Sequence, residues 1–167
     1  MARLKPLPQL WLISDARNDA ALAAALVKLP RGSGFIFRHY HLAPADRRAR
    51  FTALARLARA RGHVVALSAT RREARAWGAD LAYGAHGDLV PVHSLREIAR
   101  AARAAALLLS PAFATRSHPG ATPLGPVRFR LLAARARAPV IALGGMNPRT
   151  AQRLGWSSWA GIDAFLR

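Results

Sequence analysis

The side chains best suited to chemistry gather in one stretch, Ser110-Pro-Ala-Phe-Ala-Thr-Arg-Ser-His-Pro-Gly-Ala-Thr-Pro-Leu-Gly125. It holds the hydroxyls of Ser110, Thr115 and Ser117, the cation Arg116, the imidazole of His118, and Gly120 and Gly125. Hydroxyl and guanidinium donors on a glycine-bearing loop can wrap an oxyanion such as phosphate. Composition alone leaves a Pro/Gly-rich surface turn equally open. A second candidate is Gly144-Gly145, a glycine pair before a helix start, where backbone N–H groups could meet a phosphate. A glycine pair is also a common plain turn. Three isolated side chains complete the set. Arg38 falls in an apolar run, on the alternation that points inward; Asp88 follows Gly87 and could ligate a metal; His93 ends an apolar run and could move a proton near neutral pH. For His93 a packed or capping role stays open, as does a turn role for Asp88. His39, His41, His63 and His86 have no zinc-like spacing and are expected to be surface or structural.

The elements that must position these residues alternate. Apolar runs at Gln9–Ser14, Gly34–His41, His63–Leu67, Leu81–Gly84, Leu89–His93, Ala105–Leu109, Pro139–Leu143 and Ser158–Ile162 read as strands. Between them, helical spacing marks Asp19–Leu29 (Asn18 or Asp19 as cap), Pro44–Arg61, Arg71–Gly78, Leu95–Ala104, Val127–Arg137 and Pro148–Leu154, with Ala164–Leu166 at the end. Thr70 with Glu73, and Ser94 with Glu97, have capping-box spacing. Strand–helix alternation implies parallel pairing through right-handed crossovers. Eight strand-like runs predict an α/β fold, a compact (β/α)8 TIM barrel; between Gly84 and Leu89 there is no room for a helix, so its fourth unit is truncated. An open doubly wound sheet is the alternative, because 167 residues is short for a barrel, which usually needs about 200 or more. In a barrel the residues just after each strand share one rim. That rim would collect Asp15, Arg38, Tyr40, His41, Ser68, Asp88, His93, Ser94, the 110–125 loop, Gly144-Gly145 and Asp163.

Bulk composition narrows the partners. One domain, 1–167, is expected, with 52% hydrophobic residues enough for a core. There is no cysteine, which excludes disulfides, thiolate metal sites and a cysteine nucleophile. No apolar run reaches the roughly 20 residues of a membrane span and the N-terminus lacks a signal-peptide layout, so no membrane is expected and the location expected is cytoplasmic. Lys+Arg number 26 against 8 Asp+Glu, a formal charge of +18. The arginines nevertheless sit at helical spacing among alanines, as solvated helix faces do, and aromatics are only 7% and not interleaved with them. This argues against nucleic acid as a partner.

Three blocks, Val92-His-Ser-Leu-Arg-Glu97, Ser110 to Gly125, and Val140-Ile-Ala-Leu-Gly-Gly-Met-Asn-Pro148, resemble those of thiamine phosphate synthases and the related thiazole tautomerases. Phe37-Arg38, and Gly78-Ala-Asp80 leading to Asp88, resemble earlier and weaker blocks. The resemblance implies a TIM barrel that joins a hydroxymethylpyrimidine pyrophosphate to a thiazole phosphate with Mg²⁺, releasing pyrophosphate. It implies Arg38 on the pyrophosphate, Asp88 on the metal, Thr115, Arg116, Ser117, His118, Gly144 and Gly145 on phosphate, and His93 as the catalytic histidine. Departures stand at Tyr40 and His118, each in place of a lysine, at Ser68-Ala69 in place of Asn-Asp, at Pro91 in place of serine, and at Asp163, which if ionised would repel a phosphate. One carboxylate cannot easily hold Mg²⁺, so metal binding would depend mostly on the substrate. The expectation is a synthase-like transferase acting on a small phosphorylated substrate. A metal-independent tautomerase using His93, and a phosphate-ligand-binding barrel without catalysis, are the alternatives; a homodimer is left open.

Overall fold

A computed structural model of the chain describes residues 6–117 and 119–165. Its eight strands are β1 (Leu10–Ile13), β2 (Gly34–Phe37), β3 (Val64–Ser68), β4 (Leu81–Tyr83), β5 (Leu89–Val92), β6 (Ala106–Leu109), β7 (Val140–Ala142) and β8 (Trp159–Gly161). They pair in chain order, all parallel, and close through Leu10↔Trp159, Trp11↔Ala160 and Leu12↔Gly161 into a barrel. The helices are α1 (Leu22–Lys28), α2 (Pro44–Ala60), α3 (Arg71–Ala76), α4 (Leu95–Arg100), α5 (Gly125–Ala133) and α6 (Pro148–Leu154). The expected (β/α)8 architecture is therefore the one formed.

Strands this apolar are buried on both faces. One face packs inside the barrel, where Trp11, Ile13, Ile36, Ala66, Leu108 and Ile141 belong to a single cluster. The other face packs under the helices. Phe35, Phe37 and Leu67 meet Phe51, Leu54 and Ala58 of α2, whose spacing is the helical stripe read in the sequence. Trp11 is so large that the barrel must make room for it. A Cβ on Gly34 would fall 2.1 Å from its ring, so the residue opposite Trp11 in the register can only be glycine.

The fourth unit is truncated as expected. Only 84–88 join β4 to β5, and their backbone folds back on itself through Gly87 N–H to Gly84 O (2.9 Å) and Asp88 N–H to Ala82 O (2.8 Å).

Several elements are shorter than the sequence reading, α4 ending at Arg100 instead of Ala104 and α3 at Ala76 instead of Gly78, and three further differences bear on the rim. Strand β2 stops at Phe37 instead of His41, because the Arg38 N–H leaves the ladder for Ser14 Oγ (2.7 Å) and His39 turns to φ +40°. Arg38 is thus not inside the strand but just past it, on the rim. The first helix is preceded by a 3-10 turn, Ala16–Ala21, capped not by Asn18 or Asp19 but by Asp15, whose N–H is bonded in return by Asn18 Oδ1 (2.8 Å). The helix read as Val127–Arg137 starts at Gly125 and ends at Ala133, since Gly125-Pro126 supplies a helix start. Of Ala164–Leu166, Leu166 lies outside the described residues.

Candidate functional site

Two regions make the rim at the strands' C-terminal ends. The first is built around Asp15, after β1. Its Oδ2 accepts from Arg38 Nη2 (2.9 Å) and its Oδ1 from Arg17 Nε (3.0 Å). Burial pushes the Asp15 carboxyl up, but the hydrogen bonds from Arg17 and the charges of Arg17 and Arg38 outweigh it and hold the group below its ordinary 3.8. Arg17 then reaches the opposite side: Nη2 donates to Ser117 Oγ at 3.0 Å, and Nη1 lies 3.8 Å from Asp163 Oδ2. The carboxylate that would repel a phosphate therefore has a cation beside it. Sequence reasoning does not single out Arg17; its one signal is its place two residues past a strand-end aspartate.

Arg38 is held by more than its ion pair. Its Nε donates to Ser14 O (3.3 Å), and Arg47 of α2 donates to Arg38 O (2.9 Å) and to Ser68 O (2.7 Å), tying β2 and β3 together at the rim. Tyr40 OH and Ser68 Oγ, two of the departures from the family pattern, hydrogen-bond each other. Asn18 is fully buried and donates to Ile13 O and Ile162 O, both at 2.9 Å, closing β1 onto the end of β8.

The second region is the 110–125 loop seated on the Gly144-Gly145 turn. Leu124 N–H to Pro111 O (2.9 Å) and Gly125 N–H to Ala112 O (3.0 Å) draw its neck closed. Ala112 N–H to Leu143 O (2.8 Å) and Phe113 N–H to Gly144 O (3.0 Å) fix it to the turn. Both glycines have positive φ, +93° and +62°; a Cβ at Gly144 would meet Pro111 Cα at 2.8 Å and one at Gly145 would meet Ala114 O at 2.4 Å. The pair is glycine because the loop lies against it. Thr115 Oγ1 accepts from Ser117 N–H (3.3 Å), and Arg116 and Ser117 are exposed at the tip. Thr115, Arg116, Ser117 and Gly144-Gly145 thus share one corner of the rim. His118 lies outside the described residues.

His93 follows β5 on the same rim, with its side chain 58% exposed. Its N–H donates to Glu97 Oε2, and its Nδ1 lies 3.3 Å from the same oxygen. That backbone bond is the main reason the Glu97 carboxyl titrates below its ordinary 4.5. Ser94 caps α4 through the Glu97 N–H (3.3 Å), while the Glu97 carboxylate reaches one residue beyond the cap, to His93.

Asp88 does not join them. It precedes β5, and both its oxygens are engaged away from the rim: Oδ1 accepts from Arg71 Nε (2.9 Å) and Oδ2 from the mid-strand amide of Ala82 (2.9 Å). The carboxylate braces the helix-less connection. Among the described residues no three His, Cys, Asp or Glu side chains are grouped to hold a metal. The residues present do not fit Mg²⁺: Asp88 is turned to structure, Ser68-Ala69 at the end of β3 bring no carboxylate, and the rim carboxylates Asp15 and Asp163 both face arginine.

The family model of thiamine monophosphate synthase matches residues 89–164, the span from β5 through the loop and the glycine turn to β8. The matched span is just under half of the chain, and over it the chain is similar to that family. Among solved structures, thiamine phosphate pyrophosphorylase from Pyrococcus furiosus is similar at a TM-score of 0.75 and 20% identity, over 93% of this chain and 86% of that one. A structure described as "Native KDPGal structure" is similar at 0.64 and 15%, over 100% of this chain and 88% of that one, which shows the same barrel. No curated protein matches the chain in sequence. Among the described residues no helix is long and apolar enough to cross a membrane.

Proposed function

We propose that this chain is a member of the thiamine monophosphate synthase family and joins a hydroxymethylpyrimidine pyrophosphate to a thiazole phosphate at the rim between Arg38 and the 110–125 loop. The observation that carries the reading is the coincidence of the family match, residues 89–164, with the loop and glycine turn that build one whole corner of the rim. In the reaction the carbon–oxygen bond to pyrophosphate breaks, its electron pair leaves with the pyrophosphate, and the thiazole bonds to the carbon released. Negative charge grows on the leaving oxygens, so the groups that matter are fixed cations. Arg38 and Arg17 suit that role, since each already holds a carboxylate, and a pyrophosphate oxygen would compete for the same guanidinium donors. The tip residues Thr115, Arg116 and Ser117, with the Gly144-Gly145 turn, would take the thiazole phosphate. His118 is assigned to the same phosphate by resemblance alone. Mg²⁺, if used, would arrive largely on the substrate, and no step is assigned to it.

Pyrophosphate release from the two substrates, with and without Mg²⁺, tests this. Release is expected, and Arg38→Ala is expected to lower its rate by about 10². Absence of both release and saturable binding of either substrate overturns the reading.

A second reading rests on His93. It is exposed on the rim, and a thiazole tautomerase needs only a positioned acid/base and a phosphate anchor, with no metal. Solvent-proton exchange into the thiazole phosphate that is abolished in His93→Gln, without pyrophosphate release, would decide for that activity.

A further inference from the structure

His39 is the one residue other than glycine with a positive φ, +40°, among the described residues. It sits directly after Arg38. A non-glycine side chain in this region is strained, and such strain persists only where the surroundings over-determine it. Here they do so on every side. The imidazole is 1% exposed and stacks on Phe37, with centroids 4.6 Å apart and planes at 17°. Its Nδ1 lies 2.8 Å from Ser14 Oγ and its Nε2 lies 2.6 Å from Asp19 Oδ1. Asp19 is held in turn by Arg50 of α2, Nε to Oδ1 and Nη2 to the backbone O, both 2.8 Å.

The order Ser–His–Asp is that of a hydrolytic triad, but the chemistry is different. Ser14 is fully buried, and its Oγ accepts the Arg38 N–H at 2.7 Å, so it offers no attacking oxygen to a substrate. The proton positions follow by elimination. Asp19, a carboxylate paired with Arg50, can only accept, so His39 Nε2 carries the hydrogen. In the neutral ring Nδ1 is then an acceptor, and the Ser14 hydroxyl, already accepting from Arg38, donates to it. The charged and titratable groups around the ring are Asp19 on the 3-10 turn, Arg50 on α2, His41 with its ring 4.9 Å away, and the neighbouring Arg38. Burial, with His41 and Arg50, disfavours the imidazolium more than Asp19 favours it.

We propose that His39 is a positioning residue for Arg38: a one-way chain of hydrogen bonds, Arg38 N–H to Ser14 Oγ, Ser14 O–H to His39 Nδ1, and His39 Nε2–H to Asp19, holds the strained turn that aims the arginine at the rim. The proposal rests on the reading of Arg38 as the pyrophosphate-binding arginine. It makes the neutral Nε2–H tautomer of His39 a requirement for a competent rim, although the ring touches no ligand.

Two measurements on the full chain test it separately. The first uses ¹⁵N-labelled, ligand-free wild type, and reads the ring nitrogens of His39 at pH 7 and the exchange of the Arg38 amide. Expected are a protonated Nε2, an unprotonated Nδ1, and an Arg38 amide protected as strongly as the β2 ladder. A protonated Nδ1 or an unprotected amide overturns the proposal, whatever the protein binds. The second measures inorganic pyrophosphate binding by calorimetry, beside thermal melting, for wild type, His39→Ala and His39→Asn. Asparagine tolerates the left-handed backbone and offers an oxygen near the Nδ1 position. Expected is an affinity about tenfold weaker in His39→Ala, the scale of one lost aligning hydrogen bond, largely restored in His39→Asn. Two variants that melt lower than wild type but bind pyrophosphate as it does would leave His39 a packing residue and overturn the proposal. If wild type itself binds no pyrophosphate, the reading of the rim fails, and the nitrogen and amide signals alone decide for or against the hydrogen-bond chain.

Discussion

The two sides of the rim are made of different material. On the β1–β2 side, Asp15, Arg17, Arg38, His39 and Asp19 form a web of charged side chains, backed by Arg47 and Arg50. On the β6–β7 side the position of the loop is set by backbone hydrogen bonds and by two glycines with no room for a Cβ. The family match covers the second side and leaves out the first. Steric requirements on a backbone admit one residue type, whereas a charge network can be rebuilt with other partners, so the glycine-built side keeps a recognisable pattern while the charge-built side is free to depart from it. The departures at Tyr40 and Ser68-Ala69 are on the charge-built side, where Tyr40 and Ser68 have found each other, while those at Pro91, His118 and Asp163 fall within the matched span.

The sharpest way to break this contrast is to put one methyl group on the glycine-built side. Gly145→Ala would set a Cβ 2.4 Å from Ala114 O at a φ of +62°. Strain and overpacking together predict a loss of about 2–4 kcal/mol in urea unfolding, with the loop displaced from the turn. A near-wild-type midpoint would show that the loop does not depend on the glycines.

Acid acts mainly on the other side, which holds His39, Asp15 and Asp19; His63, before β3, and Glu97, on α4, lie outside both corners. His39 and His63 are buried, with Nε2 of His63 on Leu26 O (2.9 Å), and burial holds both below their ordinary 6.5. A histidine whose folded value is depressed contributes stability that is complete above 6.5 and is lost as pH falls toward the folded value. Asp15, Asp19 and Glu97, depressed from 3.8, 3.8 and 4.5, contribute stability that is complete above those values and is lost at still lower pH. The melting temperature is therefore expected to be flat between about pH 7 and about pH 9 and to fall in two stages below that range, by a few degrees in the first. Hydrogen exchange should find the β1–β2 corner opening before the β6–β7 corner. Simultaneous opening of both would erase the distinction between them.

The smallest effect belongs to the link between the sides. The Arg17–Asp163 pair is exposed, 38% and 46%, and long at 3.8 Å. Asp163→Asn should change stability by less than about 0.5 kcal/mol. It should nevertheless tighten phosphate binding at the loop by removing a like charge. Weaker binding would mean that Asp163 orients Arg17 instead of competing for it.

Much of this is legible in the chain. The strand–helix order, the truncated fourth unit, the capping serine and threonine, and the corner made by 110–125 and Gly144-Gly145 all follow from short-range patterns. The same patterns single out Arg38 but put it inside a strand, because nothing local reveals that Ser14 takes its N–H. They put Asp88 on the rim, because the helix-less connection that claims its carboxylate is defined by hydrogen bonds to Ala82 and Arg71. They leave His39 as surface or structural and give Arg17 no role, since the partners of both come from elsewhere in the fold.

What the sequence determined by itself is the order of the elements. Apolar periodicity, turn residues and the five residues between β4 and β5 act within a few positions of one another, and they give eight parallel strands with no helix between β4 and β5; that the sheet closes instead of staying open is decided by the pairing of β8 with β1. What only the tertiary structure decided is the pairing of charges. Arg17 meets Ser117 across 100 residues and Asn18 meets Ile162 across 144, contacts that exist only once β8 returns to β1. With 26 basic residues and 8 acidic ones, the chain offers each carboxylate many possible partners, and the closing of the barrel selects among them by distance.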